Sequence, residues 1–152
     1  MEILELCELS AQNIADLLHL MEVLDPAVTV SEEDLKSAVE CPETRFFAAV
    51  EDGRIIGTAS LCITCHPLGR KGGIEDVVVS PEARGRHIGR QLMEHIIDLA
   101  TREYAPIELH LTSRPSRKEA NHLYQAMGFQ RYETHVYKLQ LLGNQNLLTR
   151  RQ

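Results

Sequence analysis

Within seven residues the chain sets down Arg84, Gly85, Arg86, His87, Ile88, Gly89 and Arg90, directly after the β-branched run Val77-Val78-Val79 and the pair Ser80-Pro81. Backbone N–H groups at a helix start have no intrahelical acceptor and stand at the positive end of the helix dipole, so a Gly- and Arg-rich entry to a helix suits an anion. Arginine adds forked donors that match phosphate oxygens. The stretch predicts a strand, a loop and a helix that together grip a phosphorylated ligand. A second pattern, Cys62-Ile63-Thr64-Cys65-His66, fits the C-x-x-C-H spacing of covalent haem attachment, and a zinc site completed by Cys41 or Cys7 is another use of the same residues. The pattern is short, and Cys62 falls inside a predicted strand. The acidic start Met1-Glu2-Ile3-Leu4-Glu5 is also unlike an export signal, so no metal or haem is expected.

The elements that must position these residues follow from periodicity. Residues 3–8 read as a strand. Ser10 is placed to cap a helix over residues 11–24, where Ile14, Leu17, Leu18 and Met21 recur at helical spacing. Ser31-Glu32-Glu33-Asp34 opens a second, short helix. Residues 45–50 and 55–63 read as two strands joined at Asp52-Gly53, a hairpin signal. Residues 67–73 predict a mobile basic loop, and 73–79 a central strand buried on both faces. A helix over 87–100, a strand over 107–112, a helix over 118–127 ending at Gly128, and a last strand over 132–139 complete the expectation. The order β-α-α-β-β-β-α-β-α-β implies an α+β fold with helices packed on a sheet.

A length of 152 residues suits one domain covering 1–152, with 140–152 a flexible or associating tail. Hydrophobic content of 43% and charged content of 25% are those of a soluble globular protein, and no apolar run approaches the roughly 20 residues that span a membrane. A cytoplasmic protein with no membrane partner is expected. Four cysteines at irregular spacing do not make a disulfide framework. Residues 1–52 hold 13 acidic residues against Lys36 and Arg45, a net −11, which leaves a net +5 on residues 53–152. The acidic part suits a cation, or else consists of solvated helix faces, and the basic part suits an anion. No basic footprint for nucleic acid is present.

These residues resemble the GCN5-related N-acetyltransferase family, and the resemblance covers nearly the whole chain. The family's phosphate loop, Arg/Gln-x-x-Gly-x-Gly/Ala after a central strand, is matched by Val79-Ser80-Pro81 leading into Arg84-Gly85-Arg86-His87-Ile88-Gly89. Its Ala-x-x-Leu-Tyr-x-x-x-Gly-Phe is matched by Ala120 to Phe129. His87 stands where the loop motif has its first glycine, and an ordinary helical φ at that position would not require glycine. Arg117 stands where many members carry an asparagine that holds the pantetheine arm, and Asn121 is the available replacement.

The resemblance implies the acyl-CoA N-acyltransferase fold, a mixed, mostly antiparallel sheet with helices on both faces. It implies direct transfer of acetyl from acetyl-CoA, the co-substrate, to an amine, without an acyl-enzyme. The diphosphate would take the N–H groups and side chains from Arg84 to Arg90, and the pantetheine amides would pair with the backbone of Val77 to Val79. Tyr124 is then the general acid for the departing thiolate, since a phenol with pKa about 10 matches that leaving group. Glu75 is the base, with Asp76 or solvent as its competitors. The acceptor is a small-molecule or peptidic amine, and a homodimer is the expected assembly if the tail associates. The competing reading is a non-catalytic acyl-CoA sensor or partner module, which would use the same loop.

Overall fold

The computed structural model describes residues 1–141. Its elements run β1 (Glu2–Glu5), α1 (Ala11–Leu24), α2 (Glu32–Glu40), β2 (Thr44–Glu51), β3 (Arg54–His66), β4 (Gly69–Val79), α3 (Ile88–Tyr104), β5 (Glu108–His110) and α4 (Lys118–Ala126), with a 3-10 turn at Pro81–Ala83. The chain forms two compact units, one of Met1–Arg114 and one from Pro115 onward. No helix among the described residues is long and apolar enough to cross a membrane.

The first unit is built on a five-stranded sheet in the order β1-β2-β3-β4-β5. Pairing is antiparallel as far as β4, and β5 runs parallel to it. The period of two sorts β2 between two helical layers. Phe46 and Ala48 join Ile14, Leu17 and Leu20 of α1 and Leu35 and Val39 of α2 in one core. Phe47, one residue away, points to the other face, where its ring meets His95 of α3 edge-on at 5.0 Å. Helices therefore cover both faces, as the resemblance implied.

Local chemistry accounts for most boundaries. Ser10 and Ser31 each accept from the N3 backbone N–H of their helix, while Asn13 and Asp34 reach back to the N-cap N–H, so α1 and α2 both open with reciprocal caps. At the hairpin between β2 and β3, Asp52 and Gly53 have φ of 49° and 75°, the paired left-handed geometry of a tight two-residue turn.

Three expectations are corrected. The basic stretch 67–73 is not a loop: only Pro67-Leu68 turns, and β3 and β4 continue in register from His66 opposite Gly69 to Cys62 opposite Gly73. Partner strands on either side of this stretch supply the ladder that outweighs the loop preference of its glycines. β5 is three residues long rather than six, because its register with β4 covers only Lys71–Gly73. The strand expected over 132–139 is absent, so the expected order holds through α4 and lacks its final strand among the described residues. Tyr132, Val136, Tyr137 and Leu139 there are between 75% and 91% exposed. Alternation marks a segment that could pair, but a strand exists only where a neighbour accepts its hydrogen bonds. Of the expected tail over 140–152, the part from residue 142 on lies outside the described residues.

Candidate active site

The loop between β4 and α3 is a chain of conformational choices. Ser80 N–H donates to Ile56 C=O at 2.8 Å, which pins the end of β4 to β3. The 3-10 turn follows, and then Gly85 and His87 both take positive φ, 77° and 60°. α3 begins at Ile88 with His87 as N-cap and no side-chain cap hydrogen bond. The N–H groups of Ile88, Gly89 and Arg90 thus emerge where no earlier turn can accept them. Nothing lies within 4 Å of where a Gly85 Cβ would be, so the space beside that residue is open. These are the features an oxyanion needs.

Two expectations about this loop change. His87 does not have an ordinary helical φ: the position is left-handed, which explains why the motif has glycine there. Histidine is among the few types that enter this region with some frequency. The arginines are also not all turned to the loop. Arg86 Nη2 donates to Glu51 Oε1 at 2.5 Å, and Arg90 Nη1 to Glu94 Oε1 at 3.4 Å. The Arg86 hydrogen bond and charge hold the Glu51 carboxyl below the usual carboxylate range. Arg84 is exposed, and its charge is felt by Glu82. Backbone donors are therefore the fixed part of this loop, and the guanidinium groups are its adjustable part.

β4 carries the second set of residues. Thr58 opposes Val78 and Ser60 opposes Glu75, so Asp76 and Val77 together face Ala59 in a β-bulge, with Asp76 at φ 53°. Val78 is buried in the α1-side core, while Val77 and Val79 are half-buried rather than enclosed on both faces. The ladder with β5 ends at Gly73, before Glu75 is reached. Glu75 and Asp76 are exposed as whole residues, yet desolvation pushes both carboxyls above their ordinary pKa. For Glu75 the neighbouring Asp76 charge adds to the rise and His110 opposes it.

The second unit contains α4. Its C-terminus is closed by Gly128 at φ 94° and by Phe129 N–H donating to Tyr124 C=O at 3.0 Å, the glycine stop anticipated from sequence. Tyr124 is 6% exposed and is the buried residue of the helix, whereas Ala120, Leu123 and Met127 are half-buried. Its ring meets Phe129 edge-on at 6.2 Å. Burial raises the phenol pKa, opposed by the charge of Arg117. Asn121 Nδ2 donates to Arg117 C=O at 2.8 Å, which ties together the two residues expected to meet the pantetheine arm.

The model of the Acetyltransferase (GNAT) family matches residues 13–129, which include the loop, the bulged strand and α4. The chain belongs to this family. This GNAT protein is 37% identical over 91 residues to streptothricin acetyltransferase of Streptomyces lavendulae, a match covering 59% of the chain and 47% of that relative. The chain thus spans about half of that relative's length. It is 28% identical over 140 residues to glucosamine 6-phosphate N-acetyltransferase of Trypanosoma brucei brucei, covering 86% of the chain and 91% of the relative. The solved glucosamine-6-phosphate N-acetyltransferase of Arabidopsis thaliana has the same fold, with a TM-score of 0.71 at 22% identity over 91% of this chain and 97% of the other. The Cys62–His66 pattern lies wholly within β3, where the period of two turns Cys62 and Cys65 to opposite faces. Among the described residues no three His, Cys, Asp or Glu side chains gather as a metal site.

Proposed function

We propose that this GNAT protein is an acetyl-CoA-dependent N-acetyltransferase. The observation that carries the proposal is the uncapped first turn of α3, presented by the left-handed Gly85 and His87. Its N–H groups at 88–90 receive the diphosphate of acetyl-CoA, with Arg84, Arg86 and Arg90 around it. The backbone of Val77, Val78 and Val79 takes the amides of the pantetheine arm, with Arg117 and Asn121 contributing from α4. Glu75 removes a proton from the acceptor ammonium, and the freed nitrogen pair attacks the thioester carbonyl. The tetrahedral intermediate collapses with cleavage of the C–S bond, and Tyr124 gives its proton to the departing thiolate. A phenol raised by burial stays protonated throughout the neutral range, as this step requires.

The acceptor is a small-molecule or peptidic primary amine, and no acyl-enzyme forms. Thermal unfolding with and without acetyl-CoA tests the donor site. At about 100 Kd a ligand stabilises by roughly 2.7 kcal/mol, and an unchanged Tm at millimolar acetyl-CoA would overturn the donor assignment. An amine panel assayed by thiol release then tests turnover. Tyr124→Phe separates the enzyme from an acyl-CoA-binding module: kcat should fall about 10²-fold or more while the Kd of acetyl-CoA holds. A variant that loses affinity with no change in turnover favours the module.

A further inference from the structure

The two buried hydroxyls of β3 both have acceptors. Thr58 Oγ1 donates to Phe47 C=O at 2.9 Å, and Ser60 Oγ donates to Glu75 C=O at 3.3 Å. Ser113, just past β5, breaks this pattern. Its Oγ is buried, and among the described residues it is the one such side-chain N or O atom without a hydrogen-bond partner. A hydroxyl carries one donor and two acceptor sites, and burying them unpaired is unfavourable. Buried polar atoms are so regularly partnered that this one marks a contact with a group from outside the fold.

Ser113 is held from both sides within the first unit. Before it, the parallel ladder of β4 and β5 ends at the Gly73–His110 pair. After it, Arg114 Nη2 donates to Asp25 Oδ2 at 2.7 Å, which ties the next residue to the end of α1. Counting the register on, Ser113 is three residues past His110 and stands level with Asp76, three past Gly73. That is the height of the bulge, where Asp76 and Val77 face Ala59. From there to Val79, β4 has β3 as its one neighbouring strand among the described residues, because β5 has already ended. With the diphosphate at 88–90 and the arm running from Val79 to Val77, the thioester of acetyl-CoA arrives at this height. Its carbonyl oxygen is the acceptor there that needs a donor.

We infer that the Ser113 hydroxyl donates a hydrogen bond to the thioester carbonyl oxygen and stabilises the negative charge that forms on it during acetyl transfer. The inference rests on the acetyl-CoA reading above. As the nitrogen pair of the amine joins the carbonyl carbon, the C=O π pair moves onto oxygen, and the bond from Ser113 strengthens with that charge. When the pair returns and the C–S bond breaks, Ser113 keeps its proton. A donor already fixed in a site shielded from water needs no reorganisation at that moment.

The test begins with the free protein. Ser113→Ala removes an unpaired hydroxyl and should not lower the Tm by more than about 2 °C; a larger fall shows that the fold already uses the group and overturns the inference. The second readout needs no acceptor. With acetyl-CoA labelled with ¹³C at the carbonyl, the stretch of the bound C=O should lie at higher frequency in Ser113→Ala than in wild type, and Ser113→Thr, which keeps the hydroxyl, should stay near wild type. A stretch at the same frequency in wild type and Ser113→Ala, or a Ser113→Thr that matches Ser113→Ala, overturns the inference. In turnover, Ser113→Ala should lower kcat about 10²-fold while the Kd of CoA, which lacks the carbonyl, holds. Equal weakening of CoA and acetyl-CoA with unchanged kcat would assign the hydroxyl to the amides of the arm and overturn the carbonyl role. Wild-type protein that does not bind acetyl-CoA overturns the donor assignment and this role with it. Wild-type binding beside an indistinguishable Ser113→Ala overturns Ser113 alone.

Discussion

His87 is the residue where local backbone energy and function meet most directly. Left-handed backbone costs an L side chain roughly 1–2 kcal/mol, a cost that glycine avoids. His87→Gly should therefore stabilise the protein by about 1 kcal/mol in urea unfolding and leave acetyl-CoA binding at least as tight, because the N–H groups at 88–90 are untouched. A destabilised variant would show that the imidazole makes a contact worth more than the strain. Asp16 is the opposite case, a charge that the fold encloses. It is 5% exposed and accepts from Arg54 Nη2 at 2.6 Å, Ile55 N–H at 2.9 Å and Gln12 Nε2 at 2.9 Å. Burial pushes its carboxyl up, but those donors outweigh burial and leave the pKa below its ordinary value. A depressed folded pKa means stability that is present above the unfolded pKa and lost as the pH falls through the folded one. Asp16→Asn should cost about 1–3 kcal/mol at pH 7, and the difference should close below about pH 4. A gap that persists at pH 2 would assign the loss to packing.

Among the elements, β4 does the most with its sequence. One half is clamped between β3 and β5, and the other carries the bulge that turns Asp76 and Val77 against a single residue, Ala59. Gly72 sits in the clamped half. Gly72→Ala forces a methyl against Leu109 and Leu61 and should cost about 1–3 kcal/mol, read as a lower urea midpoint with an unchanged m-value. A neutral substitution would mean that β5, only three residues long, yields without consequence. α3 complements this strand. Ile88 and Leu92 press on Gly57 of β3, and that contact fixes where the first turn of the helix, with its free donors, comes out.

For the molecule as a whole, the charge asymmetry of the chain is partly cancelled by the fold. Arg54, Arg86 and Arg114 from the basic portion reach back to Asp16, Glu51 and Asp25, and Arg45 and Lys36 pair with Glu5 and Glu32. The remaining acidic residues of the first 52 still outnumber their cations. A cationic amine acceptor should therefore bind more weakly as ionic strength rises, with KM increasing between 50 and 500 mM salt while the KM of a neutral analogue holds. An invariant KM would remove long-range attraction from the account of acceptor choice.

The loop motif, the α4 motif, both serine caps and the Asp52-Gly53 hairpin were legible in the sequence because each depends on residues a few positions apart. Their chemistry is local: an N-cap oxygen, a positive φ, a helical stripe. Distant partners were not legible. The left-handed His87 reflects how α3 must leave β4, and the continuation of β3 and β4 through 67–73 depends on ladders with two neighbours. The missing strand at 132–139 shows the same rule in reverse, since alternation without a partner leaves its apolar side chains exposed. The pairing of His110 with Gly73 follows only from a parallel register between residues 37 positions apart in the chain, which no periodicity encodes. Sequence determined which groups could bind an anion and donate a proton, because those are properties of residue types at short spacing. Tertiary structure decided which donors emerge uncapped and which arginines are already paired, because each of these is set by packing between segments far apart in the chain.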